Sequence, residues 1–167
     1  MKHFELTSES KVNVIGITLF RIKLTVDCKW GSKGDLGGWI QKEENISGDA
    51  WLYGDAEVYG DARVYGNARV YGNARVSGDA EVYGNAEVSG NAEVSGDAWE
   101  QSPLQIKGTK HFITECKKGF LQIGCKCYSF KEWELHFEKI GRAEYYTDKQ
   151  IKEYKLYIDL AISLSKL

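Results

Sequence analysis

The chain has 167 residues, 43% hydrophobic and 28% charged, with a net charge of −2 at pH 7. That composition supports a packed core and argues against wholesale disorder, and the near balance of charge disfavours both direct nucleic-acid binding, which needs a basic surface, and an acidic mimic of DNA. No stretch approaches the roughly 18 apolar residues of a membrane span, and the start MKHFELTSESK lacks an apolar signal-peptide core, so a cytoplasmic protein without a membrane partner is expected.

Residues 1–39 alternate in strand fashion, from Phe4 and Leu6 through Val12, Val14, Ile17, Leu19, Ile22, Leu24 and Val26. They predict an N-terminal β cap. KGDLGGWI (33–40) leads out of it, and its three glycines predict tight turns.

Residues 40–99 carry an internal repeat. From Ile46 to Trp99 run ISGDAW, LYGDAE, VYGDAR, VYGNAR, VYGNAR, VSGDAE, VYGNAE, VSGNAE and VSGDAW, an unbroken series of hexads without insertion or deletion. Each begins with an aliphatic residue and has Gly third, Asp or Asn fourth and Ala fifth. A period of six does not suit a helix. It suits a coiled β ribbon, in which Gly-Asn or Gly-Asp turns each corner and the aliphatic and alanine side chains fill a narrow interior. The sixth-position charges test the coil size. With three hexads per turn they stack Glu57 on Arg75, Arg63 on Glu81, Arg69 on Glu87 and Arg75 on Glu93, every pair opposite in sign. Turns of two or four hexads would oppose like charges, which is unfavourable in a ladder. The reading is therefore a three-sided parallel β-helix of about three coils.

Residues 100–167 break the rhythm at Pro103 and predict a C-terminal α+β module. LQIKGTKHFITECKKGFLQIGCKC reads as two or three strands with KKG (117–119) as a hairpin turn. Ser129 with Glu132, and Thr147 with Gln150, form capping boxes for two helices, and Gly141 is expected to end the first. Trp133, Phe137 and Ile140 make one apolar stripe, and Ile151, Tyr154, Ile158 and Ala161 another. Net charge is +1 over residues 1–45, −6 over 46–99 and +3 over 100–167, so an anionic ligand is electrostatically easier to hold on the C-terminal module.

The GDARVYGNARV-type repeats resemble the left-handed β-helix hexapeptide family, whose familiar members are trimeric acyltransferases. Together with KGDLGGWI and a tail of the form IGC…EW…H…IG…Y…Y, they resemble uncharacterised proteins of bacteriophages and prophages. The resemblance implies a left-handed coil, trimerisation and, by association with small phage proteins, a counter-defence role.

Hexapeptide acyltransferases use a histidine general base between subunits, usually with a loop extruded from the coils, and the repeats hold neither a histidine nor an insertion; His3, His111 and His136 all lie outside. Cys116, Cys125 and Cys127 with His111 and His136 suggest zinc or a Cys–His pair, but C-x-C is not the usual metal spacing, and in strands it reads as small core residues on one face. No metal and no cofactor is expected, and the thiols are read as reduced. The candidate ligand-binding residues are the repeat cluster Arg63, Arg69 and Arg75 with Tyr65 and Tyr71, and the C-terminal Lys110, His111 and Arg142. Tyrosine beside arginine suits an interface or a planar, anionic ligand. The expectation is a non-enzymatic homo-oligomer, a trimer by resemblance. It would capture an anionic small molecule such as a nucleotide signal, or a host defence protein. The alternatives are an acyltransferase-like enzyme with His111 as base and a purely structural β-helix.

Overall fold

The computed structural model describes residues 2–167, and the chain divides into two compact units after Pro103. In the first unit, strands β1 (Phe4–Val12), β2 (Thr18–Leu24) and β3 (Leu36–Ile40) precede a 3-10 turn at Glu43–Asn45. The repeats then supply a series of short strands: β4 (Trp51–Leu52), β5 (Glu57–Val58), β6 (Arg63–Val64), β7 (Arg69–Val70), β8 (Arg75–Ser77), β9 (Glu81–Val82), β10 (Glu87–Val88), β11 (Glu93–Ser95) and β12 (Ala98–Trp99). They stack as three parallel ladders, β3-β5-β8-β11, β4-β7-β10 and β6-β9-β12. Glu57 faces Arg75, Arg63 faces Glu81, Arg69 faces Glu87 and Arg75 faces Glu93, so one turn takes the three hexads that the charge pairs predict. The unit is a three-sided parallel β-helix.

The interior follows from the hexad. Val58, Val64, Val70, Val76, Val82, Val88 and Val94 are fully buried beside the alanines, each valine contributing roughly 1.5–3 kcal/mol. The corners need glycine for two reasons. Gly66 and Gly72 adopt φ of 72° and 75°, where a side chain is strained. A Cβ there would also come within 3.0 Å of the glycine backbone of the next coil.

Three devices close the first coil. The hairpin β1–β2 adds antiparallel to β3, extending that ladder so that its edge is not left open. Over the β4 edge, the Trp30 indole donates to the Asp49 carbonyl, and Lys29 Nζ reaches Asp49 Oδ2 at 3.2 Å and Asn67 Oδ1 at 2.5 Å. On the third side Asn45 is fully buried, and its Nδ2 donates to the carbonyls of Ala62 at 2.8 Å and Gly60 at 3.2 Å. Of the glycines expected to make turns in KGDLGGWI, Gly34 has φ 97° and does so. Gly37 and Gly38 instead lie inside β3, where a Cβ on Gly37 would stand 2.6 Å from the Trp51 ring and one on Gly38 2.8 Å from Leu52 Cβ.

The last hexad departs from the count. Ala98 pairs with Glu81 and Trp99 with Val82, one position short of three full hexads. The slip is made where Gly96 and Asp97 both take positive φ. Such a slip exchanges the two faces of a strand. Trp99, outward by its place in the repeat, therefore takes an inward aliphatic position and is buried.

In the second unit, β13 (Gln105–Lys107), β14 (Phe112–Lys117), β15 (Phe120–Ile123) and β16 (Lys126–Ser129) form an antiparallel meander, with the expected hairpin turn at Lys118-Gly119. Helices α1 (Phe130–Ala143) and α2 (Asp148–Leu164) start at the predicted capping boxes. From their stripes Trp133, Tyr154, Ile158 and Ala161 pack with Ile113, Leu121 and Ile123 into one core, with Phe137 and Ile140 against it. Gly141 does not end α1. It is buried within the helix, where a Cβ would meet Ile151 at 3.2 Å, and Tyr145 in the left-handed region (φ 58°) makes the stop.

Candidate functional site

The β-helix distributes its expected ligand residues rather than gathering them. Arg63, Arg69 and Arg75 lie on β6, β7 and β8, which belong to three different ladders. They form no cluster, because successive hexads are one third of a turn apart. Each is matched across the coils: Arg63 to Glu81 at 4.0 Å, Arg69 to Glu87, and Arg75 to Glu93 at 3.1 Å and to Glu57 at 3.7 Å. The tyrosines join the same carboxylates, Tyr65 Oη donating to Glu81 at 3.1 Å and Tyr71 Oη to Glu87 at 3.0 Å. Tyr65 also stacks on Tyr83, centroids 5.1 Å apart and rings 6° from parallel, as the three-hexad register predicts. On two faces, then, one outward glutamate holds an arginine and a tyrosine of the neighbouring coil together.

The C-terminal residues have structural partners too. Lys110 Nζ donates to the carbonyls of Glu144 at 2.5 Å and Tyr145 at 3.1 Å, capping the negative end of α1, and sits 4.5 Å over the Tyr146 ring. Arg142 pairs with Glu138 at 2.9 Å and Asp148 at 3.2 Å, bracing the turn between the helices. His111 is placed from below: the Tyr154 hydroxyl donates to its carbonyl at 2.7 Å and accepts from Lys110 N at 3.0 Å. Its ring lies 5.7 Å from Tyr146 and against Gly124, where a Cβ would come within 3.0 Å of the imidazole.

Beside His111 opens a cavity of about 70 Å³. Its floor is apolar, made by Ile123, Trp133, Phe137, Ile140, Ile151 and Ile158, with Gly141 leaving room. Tyr146 and Tyr154 wall it, edge to face at 4.9 Å. The rim carries His111, Cys125 and the ion pair of Lys126 with Glu144 at 3.2 Å. Burial, then the neighbouring Tyr154, push the Tyr146 hydroxyl above the ordinary phenol range, so it stays protonated; the hydrogen bond and charge of Glu144 raise Lys126, which stays cationic. The sequence pointed to His111 and Lys110 but missed Tyr146, Lys126 and Glu144. The aromatic pair Tyr145-Tyr146 between two helices was the available signal.

The thiols differ from their expected placement. Cys116 is buried, but Cys125 sits exposed in the β15–β16 turn and Cys127 is exposed on β16, so the C-x-C pair is not a pair of core residues. Among the described residues no group of three or more His, Cys, Asp or Glu side chains is placed to hold a metal ion, and no helix is long and apolar enough to cross a membrane.

A family model described as YdcK beta solenoid repeat matches residues 68–84, a stretch of one coil that includes β7, β8 and β9. The hexads are β-solenoid repeats. The match stops within the solenoid and says nothing of the C-terminal unit that holds the cavity. No curated protein matches the chain.

Proposed function

We propose that the chain is a non-enzymatic binding protein that acts by stoichiometric capture, with the cavity of the C-terminal unit as its ligand seat. The lining of that cavity carries the reading: an apolar floor, two tyrosine walls and a charged rim, the composition of a small-molecule site. A volume of about 70 Å³, against the ~150 Å³ that holds benzene, admits the edge of one aromatic ring and leaves the rest of the ligand at the rim. Lys126 on the rim, with the imidazole of His111 beside it, suits an anionic group attached to that ring, so the favoured ligand is nucleotide-like with a single-ring base. The dispersal of Arg63, Arg69 and Arg75 over three different ladders supports placing the site here rather than on them, and the absence of histidine from the hexads supports capture over acyl transfer. In a bacterial cell such capture would lower a nucleotide signal in proportion to copy number, which is the phage counter-defence role; a host defence protein is the alternative target.

Native mass spectrometry of the protein purified from a bacterial host reads subunit count and retained ligand together. A trimer carrying extra mass of nucleotide size is the expected result. A bare protein that also shows no heat of binding with pyrimidine nucleoside monophosphates would overturn the reading. Lys126→Gln, which removes the rim cation without opposing a second carboxylate to Glu144, should weaken binding about tenfold, about 1.4 kcal/mol, with little change in melting, since the lost pair is a surface one. A second reading, a purely structural solenoid, draws on the matched charge columns, and recovery of the protein in purified virus particles would favour it.

A further inference from the structure

We propose that Cys116 and Cys127 are a reversible dithiol–disulfide pair, oxidised by low-molecular-weight disulfides, that ties β14 to β16 across the strand between them. Their Sγ atoms lie 3.0 Å apart. This proximity is not what a flat sheet provides, because β15 separates the two strands and strands two apart are about 9.5 Å from one another. The register shift between Glu115 and Lys117 explains it. Cys116 is the extra residue of a β-bulge, a device that bends a strand and re-aims a side chain. Thr114, Gln122 and Cys127 line up across the meander on one face, and the bulge swings the Cys116 sulfur past Gln122 towards Cys127. A bond of ~2.05 Å lies about 1 Å inside the present Sγ separation.

The two thiols have different exposures and hence different tasks. Cys127 is exposed and Cys116 is 1% exposed. Burial, with the hydrogen bond to Cys127, holds the pKa of the Cys116 thiol up to about 12, so it keeps its proton at rest. The Cys127 thiolate attacks one sulfur of a small disulfide RSSR, forming a mixed disulfide and expelling RS⁻. Cys116 then gives up its proton and attacks the Cys127 sulfur, forming the protein disulfide and expelling the second RS⁻. The protein dithiol loses two electrons and two protons, and RSSR becomes two RSH. Cys125 is two residues from Cys127 but sits in the turn at the cavity rim, and Cys28 belongs to the other unit; both serve as internal controls.

The test uses the full-length protein incubated with oxidised glutathione, then alkylated in denaturant and mapped by peptide mass spectrometry. Two of the four thiols should be protected as a Cys116–Cys127 cross-link, restored by dithiothreitol, with no lasting glutathione adduct. Cys125→Ser should leave the cross-link intact. Cys127→Ser, at an exposed position, should abolish it without loss of fold as read by circular dichroism. A stable glutathione adduct on Cys127 with Cys116 still free, a Cys125–Cys127 linkage, or four alkylated thiols would each overturn the proposal.

Discussion

Asn45 shows how much a single buried polar group can do at the end of a coil stack. Its amide donates to Ala62 and Gly60 carbonyls, and its Oδ1 accepts from the Lys42 N–H at 2.9 Å. Asn45→Ala removes all three bonds and leaves the buried Ala62 carbonyl without the amide that satisfies it, a loss of about 1–3 kcal/mol. Urea denaturation should show that drop; a midpoint unchanged from wild type would mean that water replaces the amide. Nothing in EENISGD announces this role, because a hexad register marks inward aliphatic positions and Asn45 falls just before the first of them. Trp99 was hidden for a different reason. Its place as sixth residue reads as outward, and only the slip at Gly96-Asp97, a backbone choice with no sequence marker beyond one more Gly-Asp, turns it inward.

At the scale of the element, the legible feature is the ladder. Opposite charges three hexads apart identify the coil size from the sequence alone, and Arg69 against Glu87 is one rung of it. The same register should have dissolved the arginine cluster, since a spacing of one hexad is short in sequence but moves the side chain to another face. Arg69→Glu places two carboxylates directly opposite, a cost of up to about 1 kcal/mol plus the lost pair. Exchanging both, Arg69→Glu with Glu87→Arg, restores the opposition and should recover most of the stability. Recovery below half in chemical denaturation would show that the rung depends on Tyr71, whose hydroxyl donates to Glu87 in the native order. The C-terminal helices were legible through their caps and stripes, but the end of α1 was not. Gly141 has the composition of a stop signal and serves as a contact with Ile151 instead.

For the whole molecule, the division after Pro103 separates two kinds of cooperativity. In the solenoid each coil rests on its neighbours, so stability approximates a sum of repeats and interfaces, and one polar residue at a central inward position propagates through the stack. The C-terminal unit has its own core around Trp133, Tyr154 and Ile158, made by elements that all lie within Leu104–Leu167. The repeat therefore predicted the inward positions of the coils from Ile46 to Val94, while the second unit's cavity depends on long-range packing of a sheet against two helices, which local pattern does not encode. Val76 lies on the middle ladder rung between Val58 and Val94 and is fully buried. Val76→Asp buries a charge without a partner, a cost of several kcal/mol, and should collapse the coils. Both α-helices and the β13–β16 meander belong to the C-terminal unit, so the helical circular-dichroism signal and its melting should survive in this variant while the part of the β signal that comes from the coils is lost. Loss of both together would mean that the cavity-bearing unit needs the solenoid in order to fold, and a ligand captured there would then stabilise the coils as well.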